Sequence, residues 1–151
     1  MDFVYIERKL WNEIRDHARK EDPNECIGFF EAQPSTSGNI RITAIFPCKN
    51  VAKNPKHSGQ IHQSTALKIK RLAKKNEKNG FVYGMYHSHP SSETIHLSEQ
   101  DSFVGKVYKR FRHQIVAAVC GKKRSVRMAF WAYQKPHWQE VEIMIKRRKY
   151  A

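Results

Sequence analysis

Acidic residues are scarce in this chain. It carries 14 Asp and Glu against 28 Lys and Arg, a formal net charge of +14 and a pI near 9.9. A surplus of that size steers binding toward anions, whether nucleic acid, an acidic protein or an anionic surface, and it says nothing about fold. Cysteine is scarce too. Cys26, Cys48 and Cys120 lie far apart with no C-x-x-C pair. That spacing argues against a disulfide framework or a zinc finger and points to a reducing, cytoplasmic setting. Long apolar runs are missing: the longest, Ile115–Cys120 and Met128–Tyr133, fall far short of the roughly twenty residues a membrane helix needs. The N-terminal stretch lacks the apolar segment of a signal peptide. No glycine-rich phosphate loop is present, which argues against nucleotide hydrolysis. Internal repeats and long linkers are absent as well.

What is present suits one globular domain spanning 1–151. A chain of 151 residues with 40% hydrophobic residues hides about two-thirds of its unfolded surface without staples. Periodicity predicts a short strand at Phe3–Ile6, then a helix over Glu7–Arg19 with Leu10, Trp11, Ile14 and Ala18 on one side. Glu25–Glu31 and Ile40–Pro47 read as a hairpin around the polar turn Gln33–Asn39. Lys49–Lys56 reads as a loop. A second helix is expected over Ser64–Asn79, with Ser64 as N-cap and Gly80 as stop. Phe81–His87, apolar on nearly both faces, belongs in mid-sheet, with Pro90 ending it. A third helix is expected from Ser98. Gln114–Cys120, Ser125–Gln134 and Trp138–Ile145 read as a closing antiparallel run, with Gly121–Arg124 as a turn. The class is α/β, a mixed sheet carrying helices.

The informative segment is Tyr86-His87-Ser88-His89-Pro90, followed by Ser98-Glu99-Gln100-Asp101. Residues two apart on a strand share a face, so His87 and His89 can converge on one point. Imidazole nitrogens suit zinc, and a carboxylate such as Asp101 suits a third ligand, leaving one position open as catalytic sites require. His-x-His alone also arises by chance. Ser98-x-x-Asp101 reads equally as a capping-box-like helix start. His96 is a competing ligand. Glu25 stands directly before the apolar stretch Cys26–Phe30, where a charge is at odds with burial; its bland reading is an exposed residue at a strand start. Cys26 and Cys120 read as buried core thiols, and Trp11, Trp131 and Trp138 as packing residues. His62, His113 and His137 have no recognisable partner in the sequence.

Taken together, Pro23-Asn24-Glu25-Cys26-Ile27-Gly28, Gly84-Met85-Tyr86-His87-Ser88-His89-Pro90 and Ser98-x-x-Asp101 resemble the JAMM (MPN+) metalloprotease family, along nearly the whole chain. The resemblance implies a cytidine-deaminase-like JAB/MPN fold, a mixed curved β-sheet flanked by helices. It implies a zinc ion held by His87, His89 and Asp101 with water as fourth ligand, Glu25 as the base that takes and returns the proton, and Ser98 as donor to the oxyanion. It implies cleavage of the peptide or isopeptide bond after the C-terminal Gly-Gly of a ubiquitin-like protein. Compact members look like the bacterial, phage and archaeal branch, whose substrates include sulphur-carrier proteins and conjugates of ubiquitin-like antiviral systems. The segment Ser91–Leu97 would line the groove for the Gly-Gly tail. One departure stands out: Pro90 to Leu97 places one residue more between His89 and Ser98 than most members have, a small change in loop entropy.

Two other functions compete. Lys68, Lys70, Arg71, Lys74, Lys75 and Lys78 on one helix, with Lys106, Lys109, Arg110 and Arg112 and the tail Lys146-Arg147-Arg148-Lys149, would give a basic nucleic-acid-binding module its phosphate contacts. Solvated helix faces and a mobile terminus explain the same residues, and no stacking or helix-turn-helix signature accompanies them. The second is a non-catalytic scaffold of the same fold, acting through protein contacts. Such members lack the ligand set, which this sequence keeps.

Overall fold

The computed structural model describes residues 1–35, 37–90, 95, 112–120 and 124–147. Among them are seven strands and two helices. In chain order these are β1 (Phe3–Glu7), α1 (Arg8–Glu21), β2 (Ile27–Pro34), β3 (Ile40–Cys48), α2 (Gln63–Asn76), β4 (Val82–Pro90), β5 (His113–Cys120), β6 (Ser125–Gln134) and β7 (His137–Lys146). A 3-10 turn, Glu77–Asn79, follows α2. The third helix expected from Ser98 and most of the turn Gly121–Arg124 lie outside the described residues.

The strands run in the order β1-β3-β2-β4-β5-β6-β7, and β1 pairs with β7 to close the sheet into a barrel. The sheet is mixed. β1 is parallel to β3 and to β7, and β4 is parallel to β5; the other neighbours are antiparallel. The central place expected for the apolar strand is where β4 stands. The expected curved sheet goes further than curvature, since its two ends meet.

Alternation then sorts side chains to two faces. One face carries Val4, Ile6, Cys26, Phe30, Tyr86, Ile115, Ala117, Val119 and Phe130, which join Ile14 and Ala18 of α1 in one core. The expected stripe of Leu10, Trp11, Ile14 and Ala18 is the side α1 turns to that core. Arg19 and Lys20 in its last turn complement the helix dipole. The other face carries Phe29, Tyr83, His87, Val116 and Ala118, all buried.

The second helix departs slightly from expectation. Its N-cap is His62, not Ser64: the ring Nδ1 accepts from the Ser64 backbone N–H at 3.2 Å and lies 2.8 Å from Ser64 Oγ. His62 thus has a partner that periodicity did not reveal. The α-helix ends at Asn76, short of the expected Asn79, and Gly80 stops the 3-10 turn that follows it, at φ +82°, where only glycine escapes a Cβ penalty. The helix is tied to the sheet by polar contacts. Asn76 Nδ2 donates to Tyr83 Oη at 2.9 Å, and Tyr83 Oη donates to Glu31 Oε2 at 2.7 Å. Thr43 is the extra residue of a β-bulge, skipped between Ile42 and Ala44 in the pairing with β2. Its hydroxyl donates to Glu31 Oε1 at 2.8 Å, so the freed position is used to satisfy the same carboxylate.

Among the described residues no helix is long and apolar enough to cross a membrane. Cys26 is fully buried, whereas Cys120 is only partly so, against the expectation of a core thiol.

Candidate metal centre

His87 and His89 occupy the far end of β4, and β4 runs three residues beyond its last ladder pair with β2, Ile27↔His87. One residue further out, Ser88 N–H donates to Cys26 C=O at 3.1 Å. The reciprocal bond is made by a side chain: Cys26 N–H donates to Ser88 Oγ at 2.7 Å. This pair carries the register outward to Cys26 and Ser88; continued one residue further, the same register would set Glu25 opposite His89. Residues directly opposite on antiparallel strands share a face, so that register would put Glu25 on the side of the sheet that carries His87 and His89. Ser88 lies on the other side and is fully buried. The serine between the two histidines is therefore a strand fastener.

The two imidazoles converge. Their Nε2 atoms stand 3.1 Å apart, with ring centroids 5.0 Å apart and planes at 55°. Two nitrogens at about 2.0–2.1 Å from one tetrahedral ion are roughly 3.3 Å apart. The separation and the donor chemistry both fit a shared zinc ion. Among the described residues no third His, Cys, Asp or Glu joins them in a group of three. Asp101 and Ser98, the expected third ligand and oxyanion donor, and the competing His96 lie outside the described residues, as do most of Ser91–Leu97.

Glu25 is 9% exposed, so the bland reading of an exposed strand-start residue does not hold. Its backbone is held on both sides by the loop before α2. Its N–H donates to Pro55 C=O at 2.7 Å, and its C=O accepts from Asn50 Nδ2 at 2.9 Å. Asn50 was invisible in the sequence, where it is one of two asparagines in a polar loop.

Behind the site the packing is tight. A Cβ on Gly28 would overlap the Tyr86 ring, and one on Gly84 would overlap Phe30 and the His113 carbonyl region. Tyr86 Oη and His17 Nδ1 are 2.8 Å apart. Burial raises the Tyr86 hydroxyl well above its usual range and lowers His17. Burial also pushes the Cys26 thiol up to about 12. A thiol so far from ionising is no nucleophile, which agrees with its reading as a packing residue.

The chain belongs to the family of prokaryotic JAB-domain homologues: the model described as "Prokaryotic homologs of the JAB domain" matches residues 7–131. Its fold is similar to the solution structure of protein DSY2949 from Desulfitobacterium hafniense. The TM-score is 0.70 at 20% identity, over 96% of this chain and 94% of that one. At that identity the likeness is one of fold. No curated protein matches the chain.

Proposed function

We propose that this JAB-domain protein is a zinc-dependent peptidase or isopeptidase that hydrolyses the bond after the C-terminal Gly-Gly of a ubiquitin-like protein. The observation that carries the reading is the convergence of His87 and His89 Nε2 at 3.1 Å, with Glu25 buried just ahead of the strand paired with theirs. His87 and His89 would hold the ion together with Asp101. When bound, zinc supplies Lewis acidity: it polarises the scissile carbonyl and makes water a nucleophile near neutral pH. Glu25 takes the proton of the attacking water at its carboxylate and delivers it to the leaving nitrogen. Its burial favours that role, because a carboxylate shielded from bulk water exchanges its proton with the reacting groups. Ser98 donates to the developing oxyanion, a contact whose loss typically costs about 100- to 1,000-fold in rate. The substrate would come from sulphur-carrier or antiviral ubiquitin-like systems in the cytoplasm. Such partners are often acidic, and the +14 charge would steer them in.

The test is cleavage of ubiquitin-like proteins whose Gly-Gly tails are fused to a reporter. Zinc-loaded protein is expected to cut at the junction, and chelated protein and Glu25→Ala are expected not to. Full cleavage by Glu25→Ala would remove Glu25 from its role. Absence of bound zinc in the wild type would refute the hydrolytic reading and leave the scaffold.

A basic nucleic-acid-binding module is the second reading. Lys68, Lys70, Arg71, Lys74, Lys75 and Lys78 are all exposed on or just after α2. Retention on duplex DNA that persists near physiological salt would favour it over plain charge attraction. Of the other expected cations, Lys146 and Arg147 are exposed, Arg112 is half-buried over the Tyr133 ring, and Lys106, Lys109, Arg110, Arg148 and Lys149 lie outside the described residues.

A further inference from the structure

We infer that Asn50 is a positioning residue for Glu25, acting by fastening the loop before α2 to the backbone at that carboxylate. The inference rests on the hydrolytic reading above for its chemical meaning. Its structural basis is independent of it.

A side-chain amide has two N–H donors and two acceptor lone pairs. Asn50 uses all four on backbone. Nδ2 donates to Glu25 C=O at 2.9 Å and to Ser58 C=O at 2.9 Å. Oδ1 accepts from Ala52 N–H at 3.1 Å and from Gln60 N–H at 3.1 Å. The adjacent Val51 N–H donates to Gln60 C=O at 2.8 Å, which closes the loop on itself. From within that closed loop, Pro55 C=O accepts from Glu25 N–H at 2.7 Å. Glu25 precedes β2, whose ladders with β3 and β4 begin at Ile27. The loop therefore takes the place of a neighbouring strand, satisfying both backbone groups of the one residue that needs a fixed orientation toward the histidines.

No other side chain reproduces this. Aspartate keeps the acceptors but offers nothing to the two carbonyls, and sets a charge against them. Glutamine has the right groups on a longer arm. Alanine leaves four backbone groups without their partner. A misplacement of about 1 Å of a catalytic group costs on the order of 100-fold in rate, so the expected loss falls on turnover.

The test uses the full chain with Asn50→Asp and Asn50→Ala, followed by amide hydrogen exchange and by cleavage of a Gly-Gly-tailed ubiquitin-like reporter fusion. Asn50→Asp is expected to keep the Ala52 and Gln60 amides protected while Glu25 N–H exchanges at least about tenfold faster; Asn50→Ala is expected to expose all three. Both are expected to lower kcat by roughly 10- to 100-fold with KM unchanged and zinc content at the wild-type level. Wild-type protection at Glu25 in both variants would overturn the inference whether or not any substrate is cleaved. So would a wild-type kcat in both variants of an active enzyme. If the zinc-loaded wild type cleaves no fusion, the proposed function falls, and the exchange rates still decide whether Asn50 holds Glu25.

Discussion

Removing a single oxygen, in Ser88→Ala, tests whether the histidine strand is fastened to the glutamate strand as described. Ser88 and Cys26 are both 0% exposed, and the bond from Cys26 N–H to Ser88 Oγ is 2.7 Å long. Alanine keeps the backbone bond from Ser88 N–H to Cys26 C=O. It leaves the Cys26 N–H buried with nothing to receive it. A buried donor stripped of its partner costs about 1–3 kcal/mol. In a domain of this size each kcal/mol moves the melting midpoint by about 2–4 °C, so the midpoint falls by roughly 2–12 °C. Scanning calorimetry and urea unfolding of both proteins measure the loss. Ser125→Ala, the same change at an exposed strand start, is the comparator and is expected to stay within about 0.5 kcal/mol of wild type. If Ser88→Ala were equally silent, Ser88 would not close the end of the β2–β4 pair, and the register that would set Glu25 opposite His89 would lose its support.

Two further outcomes follow from the packing behind the site. Gly28→Ala puts a Cβ into the Tyr86 ring, which its contact with His17 keeps from swinging aside. A loss of about 1–3 kcal/mol or more is expected by urea unfolding, partly recovered in a Gly28→Ala/Tyr86→Leu double variant, and absence of any coupling between the two would refute the overlap. His113 gives a pH effect. Burial lowers its pKa from the usual 6.5 to about 4. Its folded-state value lies below its unfolded one, so its contribution is whole above pH 6.5 and is lost as pH falls toward 4, by up to about 3 kcal/mol. His113→Leu is expected to flatten the wild-type stability slope in that window; an unchanged slope would show that the ring is hydrated.

The parts legible in the sequence were those with short-range signals. β5, β6 and β7 announce themselves as apolar runs broken by turn residues, and their bounds follow closely. The shared face of His87 and His89 follows from a period of two. Glu25 drew notice through its apolar neighbours, but a place opposite His89 depends on register between two strands some sixty residues apart. Ser88 read as a spacer because nothing local says which face of the strand is the fastened one. Asn50 could not be told from Asn54, since a side chain that caps distant backbone groups leaves no periodic trace. The helix start moved from Ser64 to His62 because imidazole competes for the cap only once the loop before it is folded. Closure of the barrel was beyond reach for the same reason as register: alternation says that a strand has two faces and is silent on its neighbours.

That closure bears on how the molecule is made. β1 shares two residue pairs with β3 but five with β7, among them Val4↔Ile143. The first strand is therefore seated chiefly by the seventh. While the chain is being synthesised, Val4 and Ile6 have most of their sheet partners still to come. The seam forms only once residues 142–146 are free of the ribosome. Long-range pairing of this kind is slow, so a nascent chain holds an apolar strand open until β7 has been made. The surplus of positive charge, read above as a guide for partners, then also keeps unfinished copies apart.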